Sequence, residues 1–229
     1  MSDVFLFGVL PYLSMLIFFV VTIQRYRQQT FSYSSLSSQL LENRRHFWGT
    51  VPFHYGILVV LAGHAVAFLF PRTLLAFNSV PVRLFILEAS ALAFGLLTLF
   101  GLVNAVLRRV ANHKVRKVTT VSDWVIYGLL LVQVVSGVLV AYTYGWGSSW
   151  FAASAAPWLR SLVMLSPDVS YVAPLNWLVK THIVSAWLLI GFFPFTRLVH
   201  VLVVPNPYLW RKPQLSIWYR DRPGETKAR

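Results

Sequence analysis

Four histidines in two long apolar stretches could do chemistry: His54 and His64 in one, His182 and His200 in the other. Imidazole at bilayer depth is costly unless something uses it. Two ligands on each of two facing helices can hold two haem irons, one near each membrane face. On a continuous helix the 18 residues from His182 to His200 rise about 27 Å in five turns, so the two rings share a face. That rise nearly matches the ~30 Å hydrocarbon core. His54 and His64 differ by about 15 Å of rise and roughly 80° of rotation, which tilt or local distortion must absorb. Gly56, Ala62, Gly63 and Ala65 are small enough to let a flat macrocycle approach the backbone. Bis-histidine iron has no open coordination position, which suits electron transfer. The competing uses of such histidines are interhelical hydrogen bonding and a structural zinc, whose sites are compact and tetrahedral.

The elements that must position these rings follow from composition. The chain has 229 residues, 57% hydrophobic and only 12% charged, with a mean hydropathy of +0.62. A soluble domain is about a quarter charged. The expectation is an all-α integral membrane protein, five transmembrane helices forming one domain over 1–229. The spans are placed at 4–24, 51–70, 82–107, 123–144 and 176–204, each near or above the ~20 residues needed to cross. The first apolar run continues into Gln24-Arg25-Tyr26-Arg27 without a small-residue cleavage site, so it reads as a retained span. Absence of cysteine excludes iron–sulfur clusters, thiolate-ligated haem, covalently attached haem and disulfides.

The net charge of +13 needs no nucleic-acid partner. Fifteen of the 20 Lys and Arg residues fall after spans one and three and in the tail; Arg72, Arg83, Arg160 and Lys180 fall on the other side, and Arg197 lies within span five. This bias puts the N-terminus outside and the C-terminus in the cytoplasm. The pairs are then His54 with His200 at the inner level and His64 with His182 at the outer. The outer loop 145–175 carries interfacial aromatics and is expected to form a short amphipathic helix around 151–165. The tail 205–229, with Tyr208, Trp210, Trp218 and Tyr219, reads as a cytoplasmic docking segment for another chain. His46 and His113 fall in basic segments and read as solvated.

Several of these stretches resemble the gamma subunit of membrane-bound respiratory nitrate reductase, a di-haem cytochrome b. The resemblance covers nearly the whole chain. It is most specific in Phe53-His54-Tyr55-Gly56-Ile57-Leu58 through Gly63-His64, and in Phe193-Pro194-Phe195-Thr196-Arg197-Leu198-Val199-His200 followed by Val203-Val204-Pro205. Softer matches are Ser37-Ser38-Gln39-Leu40-Leu41 and Tyr208-Leu209-Trp210-Arg211-Lys212. The resemblance implies two haems b on the same four histidines in a multi-pass protein of the bacterial inner membrane. It implies oxidation of membrane quinol near the His64–His182 haem and electron flow to the His54–His200 haem. From there electrons reach an iron–sulfur beta subunit and a molybdenum-cofactor alpha subunit on the cytoplasmic side, where nitrate becomes nitrite. The family often has a lysine at the outer start of span three, thought to help bind quinol; here the nearest basic residue is Arg83. Arginine can donate hydrogen bonds to a quinone oxygen but accepts protons poorly at neutral pH. Its other reading is an interfacial anchor.

Arg197, one turn before His200, is a candidate for a haem propionate or for snorkelling, with Arg108 or Arg109 as further inner donors and Lys180 as an outer one. Glu88 is a candidate acceptor of a quinol proton, or is neutral in place. Asn104 and Gln133 read as helix–helix hydrogen bonders. The same cytochrome could serve another partner, in nitrite oxidation or in a sulfur-compound or heterodisulfide-type reductase. A histidine-using transporter or proton channel is the alternative of a different class, and it predicts no pigment.

Overall fold

A computed structural model describes residues 2–28, 44–144 and 147–203, apart from the side chains of 44–46, 147, 148, 200 and 203. The segment 29–43 and the tail 205–229 lie outside the described residues, and with them the expected docking aromatics.

Five helices are long and apolar enough to cross a membrane. They are α1 (Ser2–Gln28), α2 (Arg44–Leu69, its apolar part Phe47–Leu69), α4 (Pro81–Ala111), α6 (Val121–Thr143) and α9 (Trp177–Phe192, the crossing stretch running on through a 3-10 turn to Phe195). Between them lie α3 (Pro71–Asn78), α5 (His113–Lys117), α7 (Gly147–Ala153) and α8 (Ala155–Val163), and α10 (His200–Val203) follows α9. No strand occurs among the described residues. Local chemistry sets the starts. Pro71 and Pro81 occupy first turns, where no amide is needed. Thr120 and Asp123 form a reciprocal capping box on α6, and Asn176 caps α9.

The spans pack in the order α2–α4–α6–α9–α1. The histidine-bearing helices α2 and α9 are therefore separated in packing order by α4 and α6. The tightest seam is α2 on α4. A Cβ on Gly56 would lie 2.7 Å from the Thr98 amide, and one on Gly101 would lie 2.7 Å from the Phe53 Cα. The two backbones can approach so closely only because both positions lack side chains. Gly56, expected to open space for a macrocycle, instead receives α4.

The best-packed region caps the end where α1 and α9 begin. Phe7, Trp158, Leu162 and Val172 are buried together there. Pro11 has no amide to give the Phe7 carbonyl, and residues Phe5–Val9 form a π-turn just before it. The Trp158 indole supplies the missing donor at 3.0 Å, with its ring edge-on to Phe7. Tyr12 donates to the Leu162 carbonyl at 2.9 Å, and Lys180 pairs with Asp3 at 2.8 Å. The loop helix expected at 151–165 is thus two helices, α7 and α8. Beyond α8, Asp168 caps a short turn at Val169–Tyr171, and the Ser170 hydroxyl and amide hold its carboxyl below the usual carboxylate range. At the end of α8, Leu165 adopts φ 57° while the Ser166 amide donates to the Ser161 carbonyl. This closure favours glycine. Leu165→Gly is expected to stabilise the cap by about 1 kcal/mol, read as a higher thermal midpoint.

The single span expected over 176–204 is corrected. Pro194 cannot continue the ladder, and α9 stops at Phe192. Two 3-10 turns follow, Phe193–Phe195 and Arg197–Val199, with an extended Thr196 between them. The Thr196 hydroxyl accepts from the Leu198 amide, starting the second turn. Arg25 of α1 donates to the Pro194 and Thr196 carbonyls at 2.5 and 3.0 Å, satisfying acceptors exposed by the break. The 18-residue, five-turn relation between His182 and His200 therefore no longer holds.

Candidate functional site

His64 lies five residues before the end of α2, and His182 lies five residues after the start of α9. Their rings meet with centroids 6.3 Å apart and planes inclined by 38°. A transition-metal–imidazole bond is about 2 Å, so two imidazoles on opposite sides of one metal have centroids about 6 Å apart. The observed separation fits that arrangement.

The hydrogen bonds fix which nitrogen each ring offers. A carbonyl can only accept, so a ring nitrogen bonded to one must carry the proton. The Nδ1 of His64 donates to the Val60 carbonyl at 2.8 Å, and the Nδ1 of His54 donates to the Thr50 carbonyl at 2.7 Å. In both rings Nε2 is then the nitrogen left to ligate, the usual outer support of a metal-bound histidine. Both side chains are exposed in the isolated chain.

His182 is held differently. Its Nδ1 donates to the Gln133 carbonyl of α6 at 3.0 Å, with the Ser136 hydroxyl 3.1 Å away. The Gln133 side-chain amide lies 3.2 Å from both ring nitrogens, and its oxygen accepts from the Ser185 hydroxyl one turn further along α9. The ring sits over Gly137, where a Cβ would come within 2.8 Å of the His182 Cε1. Gly137→Ala is therefore expected to push the ring aside and weaken any group bound between His64 and His182. Metal affinity should fall by about tenfold or more, as for loss of an outer support, measured as pigment content after purification.

Among the described residues, no three of His, Cys, Asp or Glu gather as a metal cluster. The donor set is a pair of imidazoles on helices separated in packing order by α4 and α6. That set suits a flat iron macrocycle, which brings four ligands of its own and needs only two from the protein.

His200 opens α10, but its side chain lies outside the described residues, so its pairing with His54 remains an expectation. Arg197 has a protein partner: its Nε lies 3.2 Å from Asp123, and it donates to the Val118 carbonyl at 3.1 Å. This pair ties the break after α9 to the start of α6. Arg109 stacks on Tyr127 at 4.9 Å, and Arg108 is buried. Arg83 is in the first turn of α4, its guanidinium 5.6 Å from the centre of the Phe77 ring. Because only α3 separates α2 from α4, Arg83 is at the same end of the bundle as His64. Asn104 turns back to its own helix at Phe100, whereas Gln133 reaches across to α9 as expected. His113 is exposed.

Sequence reasoning did not find Gly137, Ser136 or Ser185 as supports of His182. Their signal was present: Gln133, Ser136 and Gly137 fall at i, i+3 and i+4, one polar and small stripe on an otherwise apolar helix.

These features define a bundle of helices long and apolar enough to cross a membrane, which brings one imidazole pair together from two helices that are not neighbours in packing order. The sequence profile of the nitrate reductase gamma subunit family matches residues 3–219. The chain is 32% identical to the nitrate reductase gamma chain of Bacillus subtilis over 225 residues, covering 97% of this chain and 100% of that protein. It is 30% identical to the respiratory nitrate reductase 2 gamma chain of Escherichia coli, covering 93% of this chain and 96% of that one. A nitrate reductase-like protein, NarX, of Mycobacterium tuberculosis is 33% identical, with 33% of its length matched. The chain belongs to the nitrate reductase gamma subunit family, whose members are subunits of an oxidoreductase complex.

Proposed function

We propose that this chain is the quinol-oxidising di-haem cytochrome b subunit that anchors a respiratory nitrate reductase in the bacterial inner membrane. The observation that carries this reading is the His64–His182 pair, 6.3 Å between centroids, with His64 locked as the Nδ1–H tautomer by Val60. When bound, two haems supply a one-electron relay between membrane quinol and the partner subunits. His64 and His182 hold the haem at the end capped by α7 and α8. His54, oriented by Thr50, holds the other with His200. The basic bias of the loops puts the first pair outside and the second beside the cytoplasm.

Around these ligands the chain positions, insulates and anchors. The cap built on Trp158 and Phe7 covers the outer ends of α1 and α9 with buried apolar side chains. Arg83, at the same end as His64, is placed to donate a hydrogen bond to a quinone oxygen. At the other end, Arg197 and Arg25 hold the turns that lead into His200. The basic inner face and the tail 205–229 form the docking surface for an iron–sulfur beta subunit and a molybdenum-cofactor alpha subunit.

The test is anaerobic addition of a reduced quinone analogue to the intact complex. The expected result is reduction of the cytochrome bands, followed by reoxidation on adding nitrate. Reduction by quinol without reoxidation by nitrate would assign the anchor to a different catalytic partner. No reduction by quinol would exclude the quinol-oxidising reading.

A further inference from the structure

We infer that Gln133, clamped by Ser185, is a positioning residue that sets the orientation and redox potential of the haem held by His64 and His182, and of that haem alone. The inference deepens the proposed function and rests on it.

The hydrogen bonds of His54, His64 and His182 reveal an asymmetry. His54 and His64 take their orienting acceptors from α2 itself, four residues earlier, at Thr50 and Val60. Rotation of α2 carries each ring and its acceptor together. His182 takes its acceptor from a different helix, the Gln133 carbonyl of α6. Sliding or rotating α9 against α6 would break that bond and free the ring. The structure supplies a second tie at the same level: Ser185, buried and one turn beyond His182, donates to the Gln133 side-chain oxygen. Residues 182 and 185 of α9 thus grip the main chain and the side chain of one α6 residue. Gly137 completes the seat by leaving room for the ring. A helix that contributes no ligand therefore fixes the geometry of one.

The same clamp sets the Gln133 amide nitrogen 3.2 Å from both ring nitrogens, a position only the ring face allows, so its N–H dipole acts on the imidazole through space and leaves Nε2 for the metal. A donor dipole beside a ligand favours the reduced, more electron-rich metal centre, because the positive end of the dipole opposes the extra positive charge of the oxidised one. Without the amide, the potential of this centre falls. His54 has no counterpart of this amide among the hydrogen bonds described for it.

The experiment is a redox titration of the intact complex, followed by visible and electron-paramagnetic-resonance spectra, for wild type, Gln133→Leu and Ser185→Ala. The outer haem is identified as the one missing from a His64→Ala control. In Gln133→Leu the oxidised form of the outer haem is expected to gain about tenfold relative to the reduced form. That corresponds to a fall of about 59 mV for a one-electron couple, with an altered low-spin resonance. The inner haem should titrate as in wild type. Ser185→Ala, which keeps the amide but frees it, should move the outer haem in the same direction by less. Selective loss of the outer haem in Gln133→Leu supports the same role. If Gln133→Leu loses both haems, Ser185→Ala decides alone. Wild-type potentials at both haems in Ser185→Ala and in any haem-containing Gln133→Leu would overturn the inference while leaving the proposed function intact. Absence of haem from wild type would overturn the proposed function first.

Discussion

Replacing His64 with alanine is expected to remove one haem and leave the other, halving the haem content of the purified complex, and to stop quinol-dependent nitrate reduction. His64 is the member of its pair with its tautomer set by its own helix, so its loss does not disturb the α6–α9 clamp around His182. The His54 level lies ten residues away along α2, about 15 Å of rise, and should keep its spectrum and potential. Activity measured with an artificial electron donor that feeds the catalytic subunits directly should persist, because those subunits do not depend on this haem for their chemistry. The separation between the two assays distinguishes a broken relay from a broken complex. Retention of both haems and of quinol-dependent turnover in His64→Ala would show that the ligand assignment is wrong.

The second large effect is expected at a residue with no chemistry of its own. An alanine for glycine inside a helix ordinarily gains about 1 kcal/mol of helix propensity. At Gly101 the sign should reverse. The new Cβ would lie 2.7 Å from the Phe53 Cα and 2.8 Å from the Gly49 carbonyl, both backbone atoms that no rotamer change can move. The α2–α4 seam must open, at a cost of about 1–3 kcal/mol for overpacking. Phe53 precedes His54, so the opening is felt first at that histidine. The expected outcome of Gly101→Ala is a lower thermal midpoint with preferential loss of the His54-side haem. Gly128→Ala is the control, since a Cβ there meets nothing within 4 Å. Equal behaviour of the two variants would contradict the close-packed seam.

How much of this was legible in the sequence depends on what carried each feature. The five spans were, because apolar length is a local property of the chain. Their ends agree within a few residues except at span five. There Pro194 sat in plain view, but apolar composition carried the reading through it to 204. A missing amide and a ring clash stop a helix regardless of how greasy its sequence is. The meeting of His64 with His182 was legible, because it follows from their equal distance from one end of antiparallel helices, whereas the expected pairing of His54 with His200 falls outside the described side chains. The use of Gly56 was misread because a glycine can admit a ligand or a neighbouring backbone equally well, and only packing decides. The Arg197–Asp123 pair and the Gln133–Ser185 clamp join residues far apart in sequence, so neither has a spacing signature. Asp123 completes the capping box at the start of α6, and its second role, pairing with Arg197, appears only once the break after α9 is seen.

The most direct measurement is the haem content and reduced-minus-oxidised visible spectrum of the membrane-bound protein. About two b-type haems per chain are expected, each with the sharp alpha band of six-coordinate bis-imidazole iron. A colourless preparation, or a spectrum of five-coordinate iron, would contradict the di-haem reading.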